Sequence, residues 1–264
     1  MIPKIIHYVW VGNNPKPQFV LDCIDTWKKH LSDYKIIEWN NDSLKEMDNP
    51  YLKEAIENKK WAFASDYIRL FALYHHGGIY FDTDVEVTNS FDPLLSLAFF
   101  SGYEIYNGKC LPITSATMGA SKESDIIKGL LDDYHNVHFE IDGKLNLEPN
   151  TFKISRFFSS KFGLNPPYEG SQESHLTENA IIYPSYYFCS PEDGKINYSI
   201  HHFSGSWLPS HKRKDKIKIF NKLILSRFKK NSYKGDYPLV NNENILLKIN
   251  FSKKISYVLI IKNK

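Results

Sequence analysis

The chain predicts an α/β fold, and three features carry that prediction. Short apolar runs of β-branched and aromatic character alternate with stretches of helical spacing through the first half. A glycine pair, Gly77-Gly78, separates the longest helical stretch from the apolar run that follows it. The 264 residues suffice for one large domain, or a domain with an appendage, that buries a proper core.

The elements follow in order. Residues 5–11 read as an opening strand, closed by the turn signal Gly12-Asn13-Asn14-Pro15. Phe19, Cys23, Ile24 and Trp27 give residues 18–30 helical spacing. Residues 34–39 form a second strand, Asn41-Asp42-Ser43 caps a short helix, and a further helix is expected over 51–58. Trp61–His76 is the longest helical stretch, and the strand Ile79-Tyr80-Phe81 follows its glycine stop. Later strands are expected at 98–105 and Ala180–Tyr183, with helices at 124–135 and Asn150–Phe162.

Charge divides the chain in two. From His211 onward, 15 Lys or Arg face only Asp215, Asp236 and Glu243, whereas residues 1–210 are net acidic. The expected organisation is a domain over 1–210 and a basic extension over 211–264, the latter meeting something anionic other than nucleic acid. Ile217, Phe220, Ile224 and Phe228 form one apolar stripe among Lys216, Lys218, Lys222 and Lys229. This reads as a basic amphipathic helix, lying on an anionic membrane surface or packed on the domain with its lysines solvated. Cys23, Cys110 and Cys189 are scattered and odd in number, which excludes a disulfide framework and suits a reducing compartment. The opening Met-Ile-Pro-Lys-Ile-Ile-His breaks the apolar stretch a signal peptide needs, and no run is long enough to cross a bilayer. The expected location is cytoplasmic, with peripheral contact on the inner face of the cell membrane.

The most informative chemistry is Gly-Gly-Ile-Tyr-Phe-Asp-Thr-Asp at 77–84. Side chains two apart on an extended chain share a side, so Asp82 and Asp84 converge where the strand leaves the core. Carboxylate oxygens suit Mg²⁺ or Mn²⁺, and such an ion suits a diphosphate. The plain alternative is a solvated turn with Thr83 bonded locally. Asp66 and Arg69, three apart on the long helix, share a face and form either a surface ion pair or a pair turned towards a bound sugar and its phosphates. In Ile200-His201-His202-Phe203-Ser204-Gly205-Ser206-Trp207, an imidazole joins the metal and Ser206 and Trp207 face the phosphates, or the segment is a polar loop whose tryptophan covers the core. Trp10, after Val9, is either a core anchor or a platform for a nucleobase.

Four motifs in one order resemble the bacterial DXD-motif sugar transferases: Ile-His-Tyr-Val-Trp-Val-Gly, Phe-Ala-Ser-Asp-Tyr-Ile-Arg, Gly-Gly-Ile-Tyr-Phe-Asp-Thr-Asp and His-His-Phe-Ser-Gly-Ser-Trp. That family is related to yeast initiating α-1,6-mannosyltransferase and, more distantly, to the clostridial glucosylating toxins. The resemblance spans residues 2–207. It implies a GT-A nucleotide-sugar-binding sandwich with a mixed central sheet, to which the sequence adds a basic helical tail. It also implies a metal-dependent retaining hexosyltransferase using a UDP-sugar, UDP-galactose or UDP-glucose, with a glycan or lipid-linked glycan as acceptor in surface polysaccharide synthesis. By the same resemblance, Trp10 stacks on the base, with Val9 among the donor-binding residues; Asp66 and Arg69 hold the donor sugar, Tyr80 lies in the same pocket wall, and Asp82 bridges ribose and metal. Asp84 binds the metal directly, and His202, with its His-x-x-Gly spacing to Gly205, completes the sphere. Two rival readings are an aspartyl-phosphate phosphohydrolase with Asp82 as nucleophile and a catalytically inactive glycan-binding scaffold.

Overall fold

The computed structural model describes residues 1–106, 109–204, 216–219, 223–229, 245–250 and 255–261. The chain divides into two compact units, one of Met1–Ile105 with Lys109–Phe203 and one of Tyr106–Gly108 with Ser204–Lys264.

In the first unit the strands are β1 (Ile5–Val9), β2 (Lys35–Trp39), β3 (Gly78–Phe81), β4 (Val85–Val87), β5 (Phe99–Tyr106), β6 (Lys109–Ile113), β7 (Thr117–Ala120), β8 (Glu140–Ile141), β9 (Lys144–Leu145), β10 (Ser174–Thr177), β11 (Ala180–Tyr183) and β12 (Ser199–His201). The helices are α1 (Gln18–His30), α2 (Pro50–Glu57), α3 (Trp61–His76), α4 (Asp125–Asp132), α5 (Asn150–Phe162) and the single turn α6 (Ser185–Phe188). The main sheet runs β10-β11-β5-β7-β3-β1-β2, with β6 paired to β5. β1 is parallel to both β2 and β3, whereas β7 runs against its neighbours β3 and β5. This is the mixed α/β arrangement expected.

Alternation along the strands splits the core into two layers. Ile79 and Phe81 enter one layer with Ile6, Tyr8 and the α1 residues Val20, Ile24 and Trp27. Tyr80 enters the other, among α2, α3, α4 and α5. A helix lying inside such a layer should be apolar nearly all round. α3 is, burying Phe63, Ala64, Tyr67, Ile68, Leu70, Ala72 and Leu73.

The turn from α3 into β3 is built on glycine. Gly77 and Gly78 have φ of +63° and +110°, where a side chain is strained. A Cβ on Gly78 would also stand 2.5 Å from the Ile5 carbonyl. The pair therefore lets α3 stop and β3 start against β1 without an intervening loop.

A two-stranded ribbon of β4 and β12 lies apart from the main sheet. α1 grips it: Trp27 Nε1 donates to the Val85 carbonyl at 2.8 Å, and Thr26 Oγ1 accepts from the Val87 amide at 2.9 Å. Register in the ribbon pairs His201 with Val85. This pairing carries a residue from the end of the unit to the exit of β3.

The second unit corrects the expectation of a helical tail. It holds an antiparallel sheet ordered β13-β14-β16-β15, of Lys216–Ile219, Leu223–Lys229, Ile245–Asn250 and Ile255–Ile261. Lys216-Ile217-Lys218-Ile219 alternates with period two, the signature of a strand. Residues 255–261, rich in Ile and Val, pair along Leu223–Lys229, which a helix at 216–229 would not allow. Among the described residues no helix is long and apolar enough to cross a membrane.

Candidate functional site

β1 and β3 lie side by side and parallel, with His7 opposite Tyr80. The chain after Val9 and the chain after Phe81 therefore leave the same edge of the sheet, where ligands of open α/β sheets collect. Val9 is itself a buried core residue. Trp10 is half-buried, its backbone amide on the Trp39 carbonyl at 2.9 Å and its indole N–H on the Asn14 carbonyl at 2.9 Å.

Asp82 and Asp84 converge, although by a different route from the one alternation suggests. β3 ends at Phe81, and the Val85 amide closes a turn onto the Asp82 carbonyl at 3.0 Å. The two aspartates sit on this turn between β3 and β4. One ligand atom from each of Asp82, Asp84 and His201 lies within 4.8 Å of the others. Two carboxylates and an imidazole suit Mn²⁺ and, with more oxygen ligands, Mg²⁺.

The histidine that joins the acids is His201, where His202 was expected. His201 Nε2 is 3.5 Å from Asp84, and Nδ1 is 3.7 Å from Glu104. His202 faces the other way, with Nε2 2.9 Å from Glu86 and its ring edge-on to Phe19. The His201 side chain turns to the acids, whereas His202 meets the turn through its backbone amide, which donates to the Asp84 carbonyl at 3.1 Å. Burial works against charge on His201, but Asp84 and then Glu104 outweigh it and hold its pKa well above the ordinary value. A field that favours an imidazolium there also favours a metal cation. Burial pushes the Glu104 carboxyl up, against the pull of His201.

Asp66 and Arg69 are 8% and 3% exposed, which excludes the surface-pair reading. Arg69 Nη2 donates to Asp66 Oδ1 at 2.8 Å, and Nη1 donates to the Ser115 carbonyl at 2.6 Å. Nη1 also stands 3.2 Å from Asp82 Oδ1. The guanidinium lies over the Tyr80 ring, 4.6 Å from its centroid, and the Tyr80 hydroxyl donates to Asp82 at 2.9 Å. Burial pushes the Asp66 carboxyl up to about 7 against the pull of Arg69. For Arg69, burial opposes charge, but Asp82, Tyr80 and Asp66 together raise its pKa.

The structure thus brings together Asp66, Arg69, Tyr80, Asp82 and Asp84, and adds His201 and Glu104. Ser206 and Trp207 lie outside the described residues. Glu104 was missed by sequence reading. Its signal is a charge in an apolar run, Phe99-Phe100-Ser101-Gly102-Tyr103-Glu104.

Residues 17–100 match the family described as glycosyltransferase sugar-binding region containing DXD motif. Inositol phosphoceramide mannosyltransferase 3 of Schizosaccharomyces pombe is 35% identical over 101 residues, which are 36% of this chain and 27% of that protein. Toxin Afp18 of Yersinia ruckeri is 28% identical over 169 residues, 61% of this chain and 8% of the toxin. The matched region thus spans just over a quarter of the fungal relative, at 27%, and far less of the toxin, at 8%. Among solved structures, the PaToxG glycosyltransferase gives a TM-score of 0.43 at 20% identity, over 61% of this chain and 70% of that one. The resemblance read from the sequence is borne out: residues 17–100 match the DXD-bearing sugar-binding region of glycosyltransferases.

Proposed function

We propose that this chain is a retaining glycosyltransferase that moves a hexose from a nucleotide sugar to a glycan acceptor. The observation that carries the reading is the convergence of Asp82, Asp84 and His201 on one turn, linked through Arg69 to Asp66 on α3. A divalent cation held by Asp82, Asp84 and His201 would act as a Lewis acid on the leaving diphosphate.

The chain's own residues carry the remaining roles. Arg69 is fixed by oxygens of Ser65, Asp66, Asp82 and Ser115 and by an aromatic face, so it presents charge to the donor without reorganising. Asp66, buried beside it, accepts from sugar hydroxyls. Trp10 offers its indole to the base. In the reaction the bond from the anomeric carbon to the diphosphate oxygen breaks. A bond to the acceptor oxygen forms on the same face, and the acceptor proton passes to the leaving phosphate oxygen. No enzyme nucleophile is required.

UDP-galactose and UDP-glucose are the donors we favour, and a lipid-linked glycan of surface polysaccharide synthesis is the acceptor. The basic extension over 211–264, with 15 Lys or Arg against three acids, favours work beside an anionic membrane surface. The test is to incubate the protein with Mn²⁺ and UDP-glucose, UDP-galactose or GDP-mannose, and to follow nucleoside diphosphate release and transfer. Release that stops with chelator and in Asp84→Asn supports the reading. Release of phosphate from a generic ester, with no turnover of any nucleotide sugar, overturns it.

A further inference from the structure

Beyond Asp66 the same core layer holds a cation that nothing above uses. Lys153, on α5, is 9% exposed, and its ammonium has no hydrogen-bond partner among the described residues. It lies over two rings, 4.1 Å from the centroid of Tyr134 and 4.5 Å from that of Tyr51. One helical turn earlier Asn150, 7% exposed, also leaves its side-chain N–H₂ without a partner. Two orphan donors on one helix are costly, since a buried N–H without an acceptor forfeits its hydration. Aromatic faces offset part of that cost for the ammonium, but they accept no directed hydrogen bond. Burial lowers the Lys153 pKa, and the strongest charge opposing that fall is Asp66.

Asp84, Asp82 and His201 cluster at the turn, and Arg69 links Asp82 to Asp66. Lys153 lies over Tyr134 and Tyr51 in the core layer that α3 also lines, and the Asp66 charge supports its ammonium. A donor whose diphosphate lay at the aspartate turn and whose sugar met Asp66 would place the far edge of that sugar beyond this carboxylate. Asp66 can only accept when ionised, so a hydroxyl bonded to it has its own oxygen left to be donated to.

We propose that Lys153 reads the edge of the donor hexose remote from the diphosphate, donating to hydroxyl oxygens at that edge. This rests on the proposed function and names the part of the substrate that the pocket discriminates. The alternative is a lysine that only packs between Tyr51 and Tyr134.

The experiment measures binding of UDP, UDP-glucose, UDP-galactose and the 3-, 4- and 6-deoxy analogues of both sugars. It uses calorimetry with Mn²⁺ on the full chain and on Lys153→Met, which keeps the stem on its aromatic rings. The expected result is a donor that binds the unaltered protein about 10-fold or more tightly than UDP. Lys153→Met loses that increment while binding UDP normally. One deoxy analogue loses it in the unaltered protein and is no worse than its parent in Lys153→Met. An increment retained in folded Lys153→Met overturns the inference and leaves the proposed function standing. An increment absent from the unaltered protein overturns the inference, and failure to turn over any nucleotide sugar overturns the proposed function as well. Should Lys153→Met fail to fold, the deoxy series on the unaltered protein still decides, because equal binding of all analogues removes any reader of that edge.

Discussion

Arg69 Nη1 stands 3.2 Å from Asp82 Oδ1, and this contact ties the interior of α3 to the turn that bears the acids. The same guanidinium holds Asp66 at 2.8 Å and the Ser115 carbonyl at 2.6 Å. One planar fork therefore sets the spacing between the two halves of the site. A lysine keeps the charge but replaces three fixed nitrogens with one ammonium. Arg69→Lys is expected to lower kcat for transfer by about 100-fold or more. A drop in Tm should accompany it, because Asp66 loses its paired donor inside the core. Steady-state kinetics well below the melting range separate the two effects. Unchanged kcat there would remove Arg69 from the machinery.

The two adjacent histidines make opposite predictions. His201 faces Asp84 and Glu104, whereas His202 faces Glu86 and Phe19. His201→Ala should weaken Mn²⁺ binding, read by calorimetry or electron paramagnetic resonance, by about 10- to 100-fold. His202→Ala should leave Mn²⁺ affinity within about threefold, a loss of metal contact being outside its reach. A reversed order would show that the ribbon register differs in the loaded protein.

Much of this was legible in the chain, for definable reasons. The glycine pair, the apolar α3 and the strand before Asp82 are local signals, and each element appears where its residues predict it. Thr117–Ala120 carries no such signal. It is Thr-Met-Gly-Ala, and it is a strand because β3 and β5 flank it and Gly119 admits the Phe100 ring, 2.1 Å from where a Cβ would stand. The choice between His201 and His202 depends on how the strand Ser199–His201 pairs with β4 and where it ends, which motif spacing does not encode. Lys153 escaped for a related reason. Its place on the inward stripe of α5, beside Ile154 and Phe158, becomes meaningful only once its ammonium is known to lie over Tyr51 and Tyr134 without a hydrogen-bond partner among the described residues.

Gly78 tests the coupling of α3 to β3. Its φ of +110° disfavours any side chain, and the Ile5 carbonyl lies 2.5 Å from the position a Cβ would take. Gly78→Ala should cost about 2 kcal/mol or more in urea unfolding. A cost near zero would mean that the turn re-forms with the alanine in place.

A last prediction concerns acid stability and a histidine away from the site. His7 is fully buried, and its Nδ1 accepts from the Trp39 indole N–H at 3.1 Å while Nε2 donates to the Gly77 carbonyl at 2.8 Å. Both bonds are satisfied by the neutral ring with its proton on Nε2. A second proton on Nδ1 would point at the indole N–H. Burial is the main force lowering the His7 pKa, which falls from 6.5 to about 4. The folded pKa is below the unfolded one, so the unfolded chain binds more protons between the two values. Stability from this group is therefore complete above about pH 6.5, falls as pH drops towards 4, and amounts to about 3 kcal/mol across that window. Urea midpoints measured from pH 7 to pH 4.5 should show the decline, and His7→Gln, although less stable at pH 7, should show a flatter profile. An equally steep profile in His7→Gln would assign the acid sensitivity to other groups.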